Sequence, residues 1–330
     1  MNCEEANVQN EDIPVLWNGD IYKKGRNPYN QFENTLWKYS LSRNSWDEFP
    51  IPFSDSSEKY ILATYHSKLL LIGGCGVQTS DKDWCGTVWE FSDTDITFKE
   101  SLYIKPVPIP DDINKYGWSI CADSEDDYLV VVIAGRSRFS VMVFDGKSWT
   151  VRDGGLRSSH YAIQVIVRNH TVFLCERGSA LYIANVYKAP LQSLLTEVSN
   201  SSSNELSMWQ TLKSTHKSRK SIDGDSNVVI LGNHLVMASS FQKDLHIYGY
   251  FIGDEASELE WCQWVDMGNS SERFDLPPRI VGLPDGTLLV VGKMVEPPFE
   301  SGQSEQDKSK SKFDILKVQP QGIDTYYIHK

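Results

Sequence analysis

An all-β fold built from repeated four-stranded antiparallel sheets is predicted by three observations. A strand-turn-strand phrase returns along the whole chain, tight-turn signals separate its halves, and the composition is rich in strand-forming aromatics. The phrase is clearest in NTLWKYSLSRNSWDEFPIP, Asn34 to Pro52. There Trp37 and Tyr39 alternate with polar residues, Ser42, Arg43 and Asn44 form a turn, and Trp46 opens a second strand. Upstream, VLWNGDIYKKG (Val15 to Gly25) reads as a hairpin about Asn18-Gly19, a pair that tolerates the positive φ of a two-residue turn. The two hairpins make one four-stranded sheet.

The same phrase can be followed five more times. The second copy is YILATYHSKLLLIGGCG from Tyr60, with TVWEF and ITF as its outer strands. The third runs from Tyr116 to Arg136 and continues as FSVMVFDGKSWTV, in which Trp149 matches Trp46. The fourth is HYAIQVIVRNHTVFLCERG, then SALYIANVYKA, then MWQTL with Trp209; the fifth is SNVVILGNHLVMASS, LHIYGYFIG and EWCQWVDM with Trp261 or Trp264. The sixth is RIVGLPDGTLLVVGK and FDILKVQ, with no tryptophan to match. The position after the second strand is Gly25, Gly74, Gly135, Glu176, Ser239 and Gly292, so copies are about 41 to 63 residues apart, as four-stranded propeller blades are. Glycine there suits a strand leaving a crowded sheet centre.

These residues resemble the kelch-repeat family, the galactose oxidase and kelch-like propellers, in which a diglycine follows the second strand and a tryptophan marks the fourth. Gly73-Gly74 is the full diglycine, and Trp46, Trp149, Trp209 and Trp264 are the tryptophan positions. The resemblance implies a six-bladed kelch-type β-propeller over residues 13–330, with blades at about 13–52, 60–105, 116–153, 159–213, 226–268 and 274–330, behind an acidic N-terminal tail of residues 1–12. Trp46, Phe98, Trp149, Trp209 and Trp264 are then expected to fill space between blades. The ring is expected to be closed by the N-terminal segment or by the C-terminal GIDTYYIHK.

Composition narrows the partners. A net charge of -12 and a pI near 5.1 repel phosphate backbones and anionic lipid, so neither nucleic acid nor a membrane is expected. Six scattered cysteines, Cys3, Cys75, Cys85, Cys121, Cys175 and Cys262, form no CxxC pair and are expected to be reduced thiols. The N-terminus lacks the basic and apolar runs of a secretory signal, which predicts a cytoplasmic monomer in which the sequons at Asn169, Asn200 and Asn269 occur by chance. Three segments break the rhythm: Lys99 to Lys115, expected to bridge blades two and three in extended form; Leu191 to Leu206, a short helical turn and a serine-rich loop; and Glu296 to Lys312, polar decoration.

No catalytic constellation stands out. The seven histidines fall in different blades with no HxH or HExxH spacing, and there is no Walker A loop, dinucleotide fingerprint or GxSxG elbow. His66, His170 and His234 read as solvated turn residues. Enzymes similar in fold, the copper radical oxidases and the iron-binding specifier proteins, need ligand sets for which this sequence has no counterpart. No cofactor and no metal are expected, and the chain is expected not to be an enzyme.

In a meander starting at the centre, the loops after second strands and the inter-blade connections share one face. That face collects Arg26, Arg136, Arg138 and Arg177 from the loops, and Arg152, Arg157, Arg219, Arg273 and Arg279 from the connections; only Arg43 and Arg168 go to the other. Arginine recognises carboxylate and phosphate in a fork geometry, so Arg136, Arg138 and Arg177, with Trp84 and Tyr29 as aromatic anchors, are the expected contact set for an acidic or phosphorylated partner segment. Acidic residues share these loops, Asp81, Asp83, Asp153 and Asp223 among them, so exposed ion pairs of small worth are the competing account. The expected function is a non-catalytic protein-interaction module. Its alternatives are an enzyme or small-ligand binder using the central channel, and a structural assembly scaffold.

Overall fold

In the computed structural model, residues 13–26, 34–51, 59–75, 86–108, 119–134, 139–154, 162–177, 183–196, 208–214, 227–241, 244–252, 258–259, 261–266, 279–293 and 313–318 are described. The first sheet has the order β1 (Val15–Trp17), β2 (Asp20–Arg26), β3 (Asn34–Ser40), β4 (Ser45–Pro50), and the second the order β5 (Lys59–Tyr65), β6 (Lys68–Cys75), β7 (Thr87–Ser92), β8 (Thr97–Glu100). The third runs β9 (Ser119–Glu125), β10 (Tyr128–Ala134), β11 (Phe139–Phe144), β12 (Trp149–Asp153). All three are antiparallel meanders.

The fourth sheet is β13 (Ala162–Arg168), β14 (Thr171–Arg177), β15 (Ile183–Pro190) and β16 (Gln210–Ser214), with a short helix α1 (Leu191–Leu195) after β15. It carries a fifth, two-residue strand β20 (Glu258–Leu259) parallel to β16. The fifth is β17 (Val228–Leu231), β18 (His234–Phe241), β19 (Asp244–Phe251) and β21 (Trp261–Asp266). The sixth has three described strands, β22 (Arg279–Gly282), β23 (Leu288–Lys293) and β24 (Phe313–Val318).

The all-β class and the propeller-type, four-stranded antiparallel blades are therefore as expected, but the count is corrected. Four four-stranded blades stand where six were expected, because β20 adds a strand to the fourth sheet and the sixth has three among the described residues. The termini expected to close a ring lie outside the described residues. The chain divides into two compact units, Met1–Ser179 with Ile183–Thr211, and Ala180–Tyr182 with Leu212–Lys330, the boundary falling inside β16.

In the first unit the apolar residues form a core on both faces of each inner sheet. Along β10, Leu129, Val131 and Ile133 pack with Ile61, Leu70, Ile72 and Val88 of the second sheet. The alternate residues Val130, Val132 and Ala134 pack with Val165, Val167, Val172 and Leu174 of the fourth. A strand covered on both faces must be apolar at every position, which is why YLVVVIA shows no polar alternation. Likewise Leu69 and Leu71 face Tyr22 and Leu36 of the first sheet. Each such side chain contributes about 1.5 to 3 kcal/mol on burial.

Among the described residues, four aromatic repeat positions pack against other rings. Phe98 is buried 5.1 Å from Phe91, Trp149 is half-buried 5.1 Å from Phe144, and Trp209 is buried 6.4 Å from Phe139. Trp46 is half-buried and stacks obliquely on Tyr39 at 5.1 Å. Trp264 lies on β21, its side chain outside the described set. Gly25 lies on β2 under Trp37, whose Nε1 is 3.0 Å from where a Cβ would stand, and Gly73 has φ 133, open to glycine alone. Gly74 and Gly292 lie on β6 and β23, whereas Gly135 is outside the described residues.

Candidate functional site

Hairpin turns at one end of the second, third and fourth sheets form one connected group. The turns His66-Ser67 and Asn169-His170 have positive φ at both central residues, 45 and 58 in the first, 50 and 55 in the second. That is the twist a two-residue hairpin needs, supplied here without glycine. Between them lies the β9–β10 turn with Glu125, Asp126 and Asp127.

Side chains of β9 face both neighbours. Ser124 Oγ donates to Thr64 O of β5, and Tyr65 Oη donates to Asp127 O at 2.9 Å. On the other side, Asp123 Oδ2 accepts Val167 N of β13 at 2.7 Å, and the two Glu125 carboxylate oxygens accept Asn169 N and His170 N, each at 2.6 Å. Alternation explains the split: Asp123 and Glu125 share one face of the strand and Ser124 the other. Three backbone donors at the end of β13 are thus satisfied by the preceding sheet.

Two imidazoles complete the group. His66 Nε2 is 3.3 Å from Asp127 Oδ1, and His170 Nε2 is 3.8 Å from Asp126 Oδ2. All four side chains are largely exposed, so these are surface pairs of small energy. His234, expected to be solvated, is instead half-buried at the start of β18, and burial lowers its pKa. The Asp123 carboxyl is pushed up to about 6, chiefly by burial, against the hydrogen bonds from Val167 and Ser124 that favour its ionised form. Among the described residues no group of three or more His, Cys, Asp or Glu could hold a metal ion.

A second feature is the segment Ser101 to Pro108 after β8. It lies between the second and third sheets and packs into the core they share. Ser101 N donates to Val88 O at 2.8 Å, Ile104 and Val107 are buried in the shared core, and Val107 N donates to Gly86 O at 2.8 Å. Trp149 Nε1 donates to Lys105 O at 2.9 Å, tying the segment to the third sheet. Leu102 and Tyr103, 92% and 76% exposed, are left on the outside, with Lys68 Nζ 4.8 Å from the Tyr103 ring centroid.

Of the expected contact set, Tyr29, Trp84, Arg136 and Arg138 lie outside the described residues. Arg177 ends β14, where the pairing with β15 shifts register, but its side chain is also outside the described set. Two other arginines assigned to that face are not exposed contacts. Arg152 Nε donates to Leu194 O at 3.0 Å and its Nη2 to Thr196 O at 2.5 Å, anchoring α1, and Arg279 is buried at the start of β22. Arg43, in the β3–β4 turn, pairs with Asp47. The sequence reading missed Asp123 and Glu125, although an Asp-x-Glu on an inner strand was a signal: charges alternating in a strand bounded by buried residues need partners.

No family model matches the chain. Among curated proteins none matches it. Among solved structures it is similar to the polysaccharide lyase Uly1, with a TM-score of 0.52 at 8% identity, over 96% of this chain and 90% of that one. It is also similar to a chain of a nidogen/laminin complex, with a TM-score of 0.43 at 7% identity over 72% and 73% of the two chains. Among the described residues no helix is long and apolar enough to cross a membrane. The expectation that the chain is not an enzyme is corrected by the first of these likenesses: a lyase shares this fold, so an all-β propeller arrangement is no ground for excluding catalysis. At such low identity the likeness shows the fold alone, a propeller arrangement of four-stranded antiparallel blades.

Proposed function

We propose that the chain is a protein-binding module whose propeller-type blades hold surface segments in fixed positions for a partner protein. The observation that carries the reading is Leu102 and Tyr103, 92% and 76% exposed at the apex of a segment pinned at Ser101, Ile104, Lys105 and Val107. An apolar and an aromatic side chain held outward by a rigid support bind with little loss of conformational freedom. The kelch resemblance carried by Gly73-Gly74 and the recurring tryptophans supports the same reading, since such modules hold partner segments. Arg136, Arg138 and Arg177, with Trp84 and Tyr29, are proposed as a second contact set for an acidic or phosphorylated segment. Binding at either place is compatible with a catalytic site elsewhere on the blades.

The test is affinity capture from lysate of the source cells with three baits: the wild-type chain, the double variant Leu102→Ser/Tyr103→Ser, and the triple variant Arg136→Glu/Arg138→Glu/Arg177→Glu. Circular dichroism checks that each is folded. A partner kept by the wild type and lost by the double variant supports binding at the pinned segment, and loss by the triple variant alone moves the contact to the arginine loops. A partner set identical for all three baits overturns both assignments.

A further inference from the structure

The pinned segment after β8 carries opposite charges on the two sides of its exposed apex. Glu100, the last residue of β8, and Lys105, just past the bend, are both exposed, and neither side chain has an ionic partner among the described residues. Between them stand Leu102 and Tyr103, the two most exposed large apolar side chains of the described set. Each charge lies two positions from the nearer apex residue, so the row Glu100, Leu102, Tyr103, Lys105 is symmetric in spacing and opposite in sign. The apex is held still from beneath. Ser101 Oγ accepts Tyr103 N at 3.3 Å and Ile104 N at 3.0 Å and donates to Glu90 Oε1 at 2.5 Å. Lys68 Nζ, 2.6 Å from Glu90 Oε2, sits against the Tyr103 ring.

Such a row complements itself. When two copies meet about a two-fold axis through the apex, its order is reversed in the second copy, so that residue i meets residue j and j meets i. Resting on the protein-binding reading of this segment, we propose that the partner is a second copy of this chain, docked through Leu102 and Tyr103 and kept in register by two reciprocal Glu100–Lys105 pairs. Leu102 of each copy covers Tyr103 of the other. A buried aromatic supplies on the order of 150 to 250 Å², well short of the roughly 800 Å² per partner of a stable complex, so the dimer is weak and reversible. The net charge of -12 on each copy opposes association, and salt at about 0.15 M screens that repulsion beyond roughly 8 Å while charges in contact stay paired.

The test is sedimentation velocity of the purified full chain in about 0.15 M salt, over about 5 to 500 µM, the range of a weak complex. The wild type is expected to pass from monomer to dimer, and Leu102→Ser/Tyr103→Ser to stay monomeric. Glu100→Lys and Lys105→Glu each set like charges together at both contacts, so each alone is expected to raise the dimer Kd at least about tenfold. Mixed in equal amounts, the two single variants bring opposite charges together again and are expected to recover the dimer, which a failure to fold cannot imitate. A wild type that stays monomeric, a dimer unaffected by Leu102→Ser/Tyr103→Ser, or single variants that do not recover on mixing overturns the second copy as the occupant. A monomeric wild type that still captures another protein through Leu102 and Tyr103 overturns this inference while leaving the protein-binding reading in place, so the two fail separately.

Discussion

Asn227 offers the sharpest test of how adjacent sheets of the second unit are joined. Its side chain is fully buried and spans 53 positions: Oδ1 accepts Ile280 N at 2.7 Å and Nδ2 donates to Ile280 O at 2.8 Å. The amide therefore imitates one rung of a β-ladder between the residue before β17 and strand β22. In Asn227→Ala, two buried backbone groups of Ile280 lose these partners, and at about 1 to 3 kcal/mol for each the combined cost is about 2 to 6 kcal/mol. With a urea dependence of about 2 kcal/mol per molar, the unfolding midpoint falls by about 1 to 3 M. Urea unfolding followed by tryptophan fluorescence reads this, and hydrogen exchange at Ile280 shows whether the loss is local. Asn227→Asp separates donor from acceptor. Its carboxylate keeps the bond from Ile280 N but faces Ile280 O, so it is destabilised at neutral pH and recovers in acid, where a protonated oxygen can donate. An Asn227→Ala midpoint equivalent to less than about 0.5 kcal/mol from the wild type, within the range of an ordinary surface substitution, would refute the reasoning.

Two glycine substitutions test the packing of the first unit. A Cβ on Gly154 would stand 2.1 Å from Phe139 Cε2, inside the core shared by the third and fourth sheets, so Gly154→Ala is expected to cost about 1 to 3 kcal/mol in urea unfolding. Gly86 has φ +88 and its Cβ would meet Val107 O at 2.4 Å, so Gly86→Ala is expected to detach the Ser101 to Pro108 segment, seen as a rise in Val107 amide exchange of at least tenfold. Unchanged exchange at Val107 would mean that Ile104 and Trp149 alone hold the segment in place.

Much of the fold could be read from local pattern. Asn18-Gly19 announces a turn because its backbone conformation depends on its own two residues, and the structure has φ 48 and 78 there. Recurring tryptophans announce the outer strands, and Trp149 and Trp209 are tucked against Phe144 and Phe139. The sequence reading failed where a residue's role depends on a neighbouring sheet. Arg152 was counted as a surface cation, yet it binds carbonyls 42 and 44 positions away. The Lys99 to Lys115 segment was expected to bridge the second and third blades, and its pattern did not show that Ile104 and Val107 fill the gap between the two sheets.

The order of strands, the positions of the tight turns and the apolar character of β10 were determined by the sequence itself, because each follows from interactions within a few residues or from a period of two. Only the tertiary structure decided that Asp123 and Glu125 turn toward β13 while Ser124 turns toward β5, and that Asn227 meets Ile280. Those pairings depend on which sheet lies beside which and in what register. No local preference encodes that, since a carboxylate in a strand is equally satisfied by water until a neighbouring backbone takes the water's place.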